Sequence, residues 1–213
     1  MAGYPIEIDL AGRSALVVGL GRVGLRKAAG LADAGADVVS VDPRVGIAVP
    51  VGVEHRVEPF RPAHLEGMSL AFAAATADVN RFVVSEAKNR GVWVNAASEP
   101  DAGDFTVPAI WRNGPIVLTV STSGASPALA RALRDRASAS IAGAAGLAQL
   151  IGELRVRAAT EVRNSDARRR LLKDWGDPKR LDQRLAENLE ATRSAMLSDL
   201  SAASELPESE EIF

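Results

Sequence analysis

Residues 14–42 restrict the first part of this chain to very few folds. Ala15–Val18 is a short apolar run of buried-strand type, and Gly19-Leu20-Gly21-Arg22-Val23-Gly24 follows it without a gap. Leu25–Ala34 has helical composition, Gly35 stops it, and Val38–Val41 is a second apolar run that ends in Asp42. Strand, Gly-x-Gly-x-x-Gly turn, helix and acid-terminated strand together form a dinucleotide-binding unit. Gly19 permits the tight turn, Gly21 lets the backbone approach a pyrophosphate, and Gly24 lets the helix pack closely on its strand. The first helical N–H groups, at Arg22 and Val23, then face the phosphates from the positive end of the helix. Asp42 lies 23 residues after Gly19, where an acid can accept both ribose hydroxyls of NAD. A carboxylate there repels a 2′-phosphate and favours NAD over NADP, although Arg44, two residues on, can accommodate that phosphate.

The whole chain is long enough for a good-sized domain with an appendage, since it has 213 residues of which 47% are apolar. Aromatics make up only 4%, so the core must be built from Ala, Val and Leu. With no cysteine, disulfides, thiolate metal sites and cysteine nucleophiles are excluded together. The first ten residues lack the basic flank and long apolar run of a signal peptide, and no stretch approaches the roughly 20 apolar residues of a membrane span. A cytoplasmic protein that meets no membrane is expected. The basic run Arg168-Arg169-Arg170, with Lys173, Lys179 and Arg180, is interleaved with Glu161, Asp166, Asp174 and Asp177. It therefore reads as a solvated helix face rather than a nucleic-acid surface.

Strand-like and helix-like segments alternate through residues 4–112. Strands are expected at Ala15–Val18, Val38–Val41, Val53–Arg56, Leu70–Ala74, Trp93–Asn95 and Thr106–Val107. Helices are expected at Val23–Ala34, near Pro62–Leu65 and at Val79–Arg90. The fold class is thus α/β, with a Rossmann-type parallel sheet covered on both faces and ligands at the carboxyl ends of its strands. Thr76 and Asp78 fall in the loop before a helix that Asn80 begins, and this loop is a second expected cofactor contact. Asn95, at the end of the fifth strand, is a third. After Asn113-Gly114-Pro115, a turn signal, comes the apolar strand Ile116–Val120. Ser121-Thr122-Ser123-Gly124-Ala125-Ser126-Pro127 then leads into a helix that Ser126 caps and Pro127 opens. Such a hydroxyl- and glycine-rich loop fits an anion cradle and an ordinary capped helix equally well. From Ala142 to about Ala203 the chain reads helical, interrupted only near Trp175–Pro178, and Glu205–Phe213 reads as an acidic tail. The expected organisation is a Rossmann domain over 1–112, a dimerisation segment over 113–148 and an α-helical C-terminal domain over 149–213.

Several longer stretches carry more specific information. They are Tyr4-Pro5-Ile6, Val18–Lys27 with its Arg26-Lys27 pair, Ala74-Ala75-Thr76-Ala77-Asp78-Val79-Asn80, Val94-Asn95-Ala96, Asp104-Phe105-Thr106-Val107-Pro108-Ala109, and Val120–Arg131. In order and spacing they resemble the precorrin-2 dehydrogenase family, the module also found at the amino terminus of siroheme synthases. The resemblance covers roughly residues 4–150. It implies oxidation of precorrin-2 to sirohydrochlorin with hydride transfer to NAD⁺, and in some members insertion of ferrous iron. It also implies a homodimer whose cleft holds the tetrapyrrole. A substrate with many carboxylates needs cations and helix N-termini, for which Ser121, Thr122, Ser123, Gly124, Ser126 and Arg131 are the candidates, with Arg134 behind them.

One position departs from the family. An aspartate usual three residues after the asparagine of the fifth strand is here Ser98. Serine is a poor general base unless activated. Glu99, Asp101 and Asp104 lie close by in sequence, and Asp104 matches a recurrent family position, so Ser98 and Asp104 are the catalytic candidates. A degenerate member that binds tetrapyrrole without oxidising it is one alternative, and an NAD-sensing regulatory module is another. The two histidines, His55 and His64, have no partners at metal-ligand spacing and read as surface or edge residues, so no resident metal is expected.

Overall fold

The computed structural model describes residues 3–207. The chain divides into two compact units, one running to Val107 and including Ser123–Ala125, the other comprising Pro108–Thr122 and the chain from Ser126 onward.

The first unit is built on a five-stranded, wholly parallel sheet: β1 (Ser14–Val18), β2 (Asp37–Val41), β3 (Val53–Arg56), β4 (Leu70–Ala73) and β5 (Trp93–Ala96). Their order across the sheet is β3-β2-β1-β4-β5, with each register parallel. Alternate residues of a strand point to opposite faces. Leu16, Val18, Ala71, Ala73, Val94 and Ala96 therefore pack on one side with Val83, Val84 and Ala87 of α2 (Ala77–Asn89). Ala15, Val17, Leu70 and Phe72 pack on the other with Ala28 and Leu31 of α1 (Arg22–Asp33). Strands buried on both faces must be apolar throughout, which is why these runs were readable. The strand order reverses between β1 and β4, so a crevice opens beyond their carboxyl ends.

Two elements differ from the sequence reading. Thr106–Val107 pairs with no strand, and Pro108, which follows, has no N–H to give a ladder. The sixth strand is instead β6 (Ala109–Asn113), antiparallel to β7 (Ile116–Val120). Gly114 and Pro115 form the two-residue turn between them, with Gly114 at φ +53°, as a tight hairpin requires. Helix α2 begins at Ala77, so Asp78 stands in its first turn rather than in a loop, and Asn80 lies a turn inside rather than at its start.

The second unit contains that hairpin and α3 (Pro127–Ser140), α4 (Ala144–Glu161), α5 (Ser165–Trp175), α6 (Pro178–Ala186) and α7 (Leu189–Ser204). Besides the expected break before Pro178, the helical stretch breaks before Ser165 and before Leu189. At each of the three breaks a short polar side chain caps the next helix: Asn164 accepts from the Ala167 N–H, Asp177 from Lys179 and Asn188 from Glu190. Leu147, Leu150, Leu154 and Ala158 line one face of α4 and meet Leu171, Trp175, Met196 and Leu200. Of the acidic tail, Glu208–Phe213 lies outside the described residues. Among the described residues no helix is long and apolar enough to cross a membrane.

Candidate functional site

The glycine-rich turn is fixed by backbone contacts that leave no room for side chains at two of its three glycines. Gly19 donates its N–H to the Val41 carbonyl at 2.9 Å, which ties the turn to β2. Its φ is +90°, and a Cβ there would lie 2.7 Å from the Ala74 carbonyl oxygen and the Ala75 nitrogen. At Gly24 a Cβ would lie 1.8 Å from the Gly19 oxygen, so α1 can approach the turn only because this residue is glycine. Gly21 differs: it caps α1 without any side-chain hydrogen bond, and no atom lies within 4 Å of where its Cβ would be. The helix therefore presents its first-turn amides beside open space, flanked by the exposed side chains of Arg22 and Val23. That arrangement fits a dinucleotide pyrophosphate.

Asp42 closes the other side of this turn. Its residue is 4% exposed, and its carboxylate accepts four hydrogen bonds. Oδ2 receives the Leu20 N–H at 2.7 Å and Arg44 Nη2 at 2.8 Å, while Oδ1 receives the Arg44 N–H at 3.0 Å and Nε at 2.9 Å. The hydrogen bonds from the Arg44 side chain, with those from the two backbone amides, hold the carboxyl well below the usual carboxylate range against the opposing effect of burial. Asp42 is thus an anion at any working pH.

Asn80 is the residue that sequence reasoning placed but did not assign. It is buried, its Oδ1 accepts the Ala75 N–H at 2.8 Å, and its Nδ2 donates to the Ala75 carbonyl at 3.2 Å and to Ser98 Oγ at 3.1 Å. One amide therefore links the exit of β4 to the loop after β5. Thr76, exposed at the N-cap of α2, makes no side-chain cap bond. Ser98 is exposed and, with Asn80, Arg81, Val84 and Glu99, lines a hollow of about 330 Å³.

The other two polar candidates near β5 both make hydrogen bonds to backbone. Asp104 donates its N–H to the Val94 carbonyl at 2.8 Å and accepts the Val94 N–H on Oδ2 at 2.9 Å. The buried Asn95 donates to the Phe105 carbonyl at 2.8 Å. Together they strap residues 104–105 along β5. Ser98 Oγ and the Asp104 carboxylate have different partners, Asn80 and the Val94 N–H.

Nor do the histidines lie where the sequence suggested in every case. His64 is buried, not a surface residue: its Nδ1 accepts the Arg61 N–H at 3.0 Å, so Nε2 carries the hydrogen toward Glu58, 3.2 Å away. His55 Nδ1 lies 3.1 Å from Ser40 Oγ. Among the described residues no three His, Asp or Glu side chains gather into a metal site.

In the loop before α3, Thr122 Oγ1 accepts the Ser126 N–H at 3.0 Å and donates to the Ser126 carbonyl at 3.1 Å. Ser126 Oγ caps α3 by accepting the Leu129 N–H at 3.2 Å. Ser123 at φ +51° and Gly124 at φ +85° turn the backbone between them, and Arg131 is exposed one turn into α3. Thr122 and Ser126 thus shape this loop with their own hydroxyls.

Lys27 is the other half of the Arg-Lys pair that follows the glycine turn. Its Nζ lies 5.6 Å from the centroid of the Phe72 ring, which meets Phe105 edge-on at 5.4 Å. Burial, and secondarily the charge of Arg26, push it down from 10.5 to about 8. Between those two values the folded lysine is neutral while the unfolded one is still protonated, so its contribution to stability rises with pH across that window. Wild type should gain on Lys27→Met as denaturant midpoints are measured from pH 7.5 to 10. A constant gap between the two would refute the perturbed lysine.

An NAD(P)-binding family model matches residues 6–109. A siroheme synthase of Methylobacillus flagellatus is 35% identical over 213 residues, covering 97% of this chain and 46% of that protein. One of Photobacterium profundum is 38% identical over 172 residues, covering 78% of this chain and 37% of that protein. The chain spans less than half the length of these curated relatives. Among solved structures, SirC, precorrin-2 dehydrogenase, has the same fold, with a TM-score of 0.77 at 24% identity over 94% of this chain and all of that one.

Proposed function

We propose that this chain, 35–38% identical to siroheme synthases over 78–97% of its length and sharing its fold with SirC, precorrin-2 dehydrogenase, belongs with them and oxidises precorrin-2 to sirohydrochlorin with NAD⁺ as the hydride acceptor. The observation that carries the reading is the glycine turn packed against β4 and facing a buried, ionised Asp42. NAD⁺, when bound, supplies the carbon that takes the hydride, and the accompanying proton leaves to solvent. The chain's own residues do the rest. The amides of Arg22 and Val23, beside Gly21, hold the pyrophosphate, and Asp42 takes the ribose. Thr76 and Asn95 border the nicotinamide half. Asn80 already donates to Ser98 Oγ, so the Ser98 hydroxyl hydrogen is directed to another acceptor, and we assign it to orienting the substrate. Orientation alone can lower a barrier by several kcal/mol. Ser121, Ser123, Gly124 and Arg131, on the loop that Thr122 and Ser126 shape, receive substrate carboxylates. The reaction belongs to the cytoplasm in this reading, and ferrous iron, if it is inserted into sirohydrochlorin, arrives as substrate.

A homodimer is part of the proposal. Leu129 and Leu133 on α3 are 51% and 44% exposed, and Ile110 on the hairpin is 37% exposed, a row of apolar side chains suited to burial between copies. Light scattering at micromolar concentration should give twice the 22.3 kDa chain mass. A mass of one chain would refute the pairing.

Turnover is tested by mixing purified protein with precorrin-2 and NAD⁺ and following NADH and the tetrapyrrole spectrum together. Wild type should produce both signals. Asp104→Asn keeps the oxygen that accepts from Val94 and removes only the charge, so it should turn over within about threefold of wild type if Asp104 is structural. A loss of about a hundredfold at unchanged NAD⁺ affinity would instead give Asp104 the role of the missing family acid. If wild type is silent and Ser98→Asp is active, the native chain is a tetrapyrrole-binding member without dehydrogenase activity.

A further inference from the structure

The four hydrogen bonds on Asp42 fill the roughly four lone-pair positions of a carboxylate. An adenosine ribose that approaches this acid finds no acceptor until one donor leaves. Two of the donors are backbone amides, at Leu20 and Arg44, fixed by the turn and by the end of β2. The other two belong to the Arg44 guanidinium, whose side chain is 61% exposed while that of Asp42 is 5% exposed. Only the guanidinium can leave by a change of rotamer. Once out, it stays within a side chain's length of the acid, at the rim where the ribose 2′ position must come. A bare carboxylate repels a 2′-phosphate, but this acid comes with its own cation two residues away.

We propose that Arg44 is a cofactor-selecting latch: on Asp42 it competes with the ribose hydroxyls of NAD⁺, and off it the same guanidinium pairs with the 2′-phosphate of NADP⁺, so that the site takes both dinucleotides. The inference rests on the nucleotide-binding reading of the glycine turn, and goes beyond it by naming the residue that sets the preference and the direction in which its loss moves it.

Titration calorimetry with NAD⁺ and NADP⁺ on the full chain tests this, in wild type, Arg44→Ala and Arg44→Lys, with a thermal melt of each to confirm folding. Wild type should bind both dinucleotides. The arginine end of the pair is solvent-exposed, which keeps the net value of the pair small, so removing the competitor should tighten NAD⁺ by up to about fivefold. Loss of a charge-assisted bond to phosphate should weaken NADP⁺ by about tenfold or more. Arg44→Lys keeps the charge but not the two-pronged grip on Asp42, and should retain NADP⁺ while tightening NAD⁺. If Arg44→Ala leaves the ratio of the two affinities unchanged, whether both stay or both fall together, the latch is overturned and the nucleotide site stands. If wild type binds neither dinucleotide, the nucleotide site itself is wrong and the latch goes with it.

Discussion

Gly24→Ala should cost at least about 3 kcal/mol of stability and weaken dinucleotide binding by more than about a hundredfold. Overpacked cores usually relax by moving a flexible side chain, but here the added methyl meets the Gly19 carbonyl oxygen at 1.8 Å, and both partners are backbone. Either α1 withdraws from the turn or the turn opens. Opening it would strain the Gly19 bond to Val41 and the Leu20 bond to Asp42, the two ties that hold the turn to β2. Gly21 provides the contrast. Its flank is open, so Gly21→Leu should melt near wild type while losing the cofactor, because the side chain would occupy the space where the pyrophosphate belongs. Denaturant unfolding and calorimetry on the pair separate the two effects. A Gly24→Ala protein that melts with wild type would mean that the close helix approach is not a feature of the folded state.

Trp175→Ala should remove about 3–5 kcal/mol from the helical unit, the usual cost of emptying a large aromatic site. The ring is 1% exposed and sits among Leu150, Leu154, Leu171, Met196 and Leu200. Its indole nitrogen, however, is buried without a hydrogen-bond partner. A buried donor left unsatisfied costs about 1–3 kcal/mol, so Trp175→Phe loses some packing and sheds that penalty at once. The phenylalanine variant should fall within about 1 kcal/mol of wild type by urea titration followed through helical circular dichroism. If phenylalanine costs as much as alanine, the indole nitrogen is satisfied in solution and its packing account must be redrawn.

The centre of the parallel sheet was legible because β1, β2 and β4 are mostly apolar, and because β1 runs into Gly19 and β2 into Asp42. The hairpin strand Ala109–Asn113 was not, because only alternate residues are half-buried and it carries Arg112 within its five residues. Its partner could be found, since Ile116–Val120 is apolar at every position but Thr119. The helical breaks at Asn164 and Asn188 were written in the sequence as caps, but they lie inside amphipathic stretches whose periodicity runs on past them. At the site, the glycines and Asp42 could be assigned because backbone geometry dictates those residue types. Asn80 could not: an asparagine inside a helix announces nothing, and its bond to Ser98 exists only once β4 and β5 lie side by side. Asp104 was legible as an acid near a cleft, but its bond to the Val94 N–H was not, because that contact forms only when the chain after β5 folds back along the strand.

The Asn80 amide has a consequence for how this lineage can drift. It supplies a hydrogen-bond donor to whatever side chain follows β5 at position 98. A serine oxygen and a carboxylate oxygen both accept such a bond, so exchange between the two leaves the brace intact and the fold blind to the change. Selection at position 98 can then act on charge alone, and activity can be gained, tuned or abandoned in descendants without a stabilising mutation having to come first.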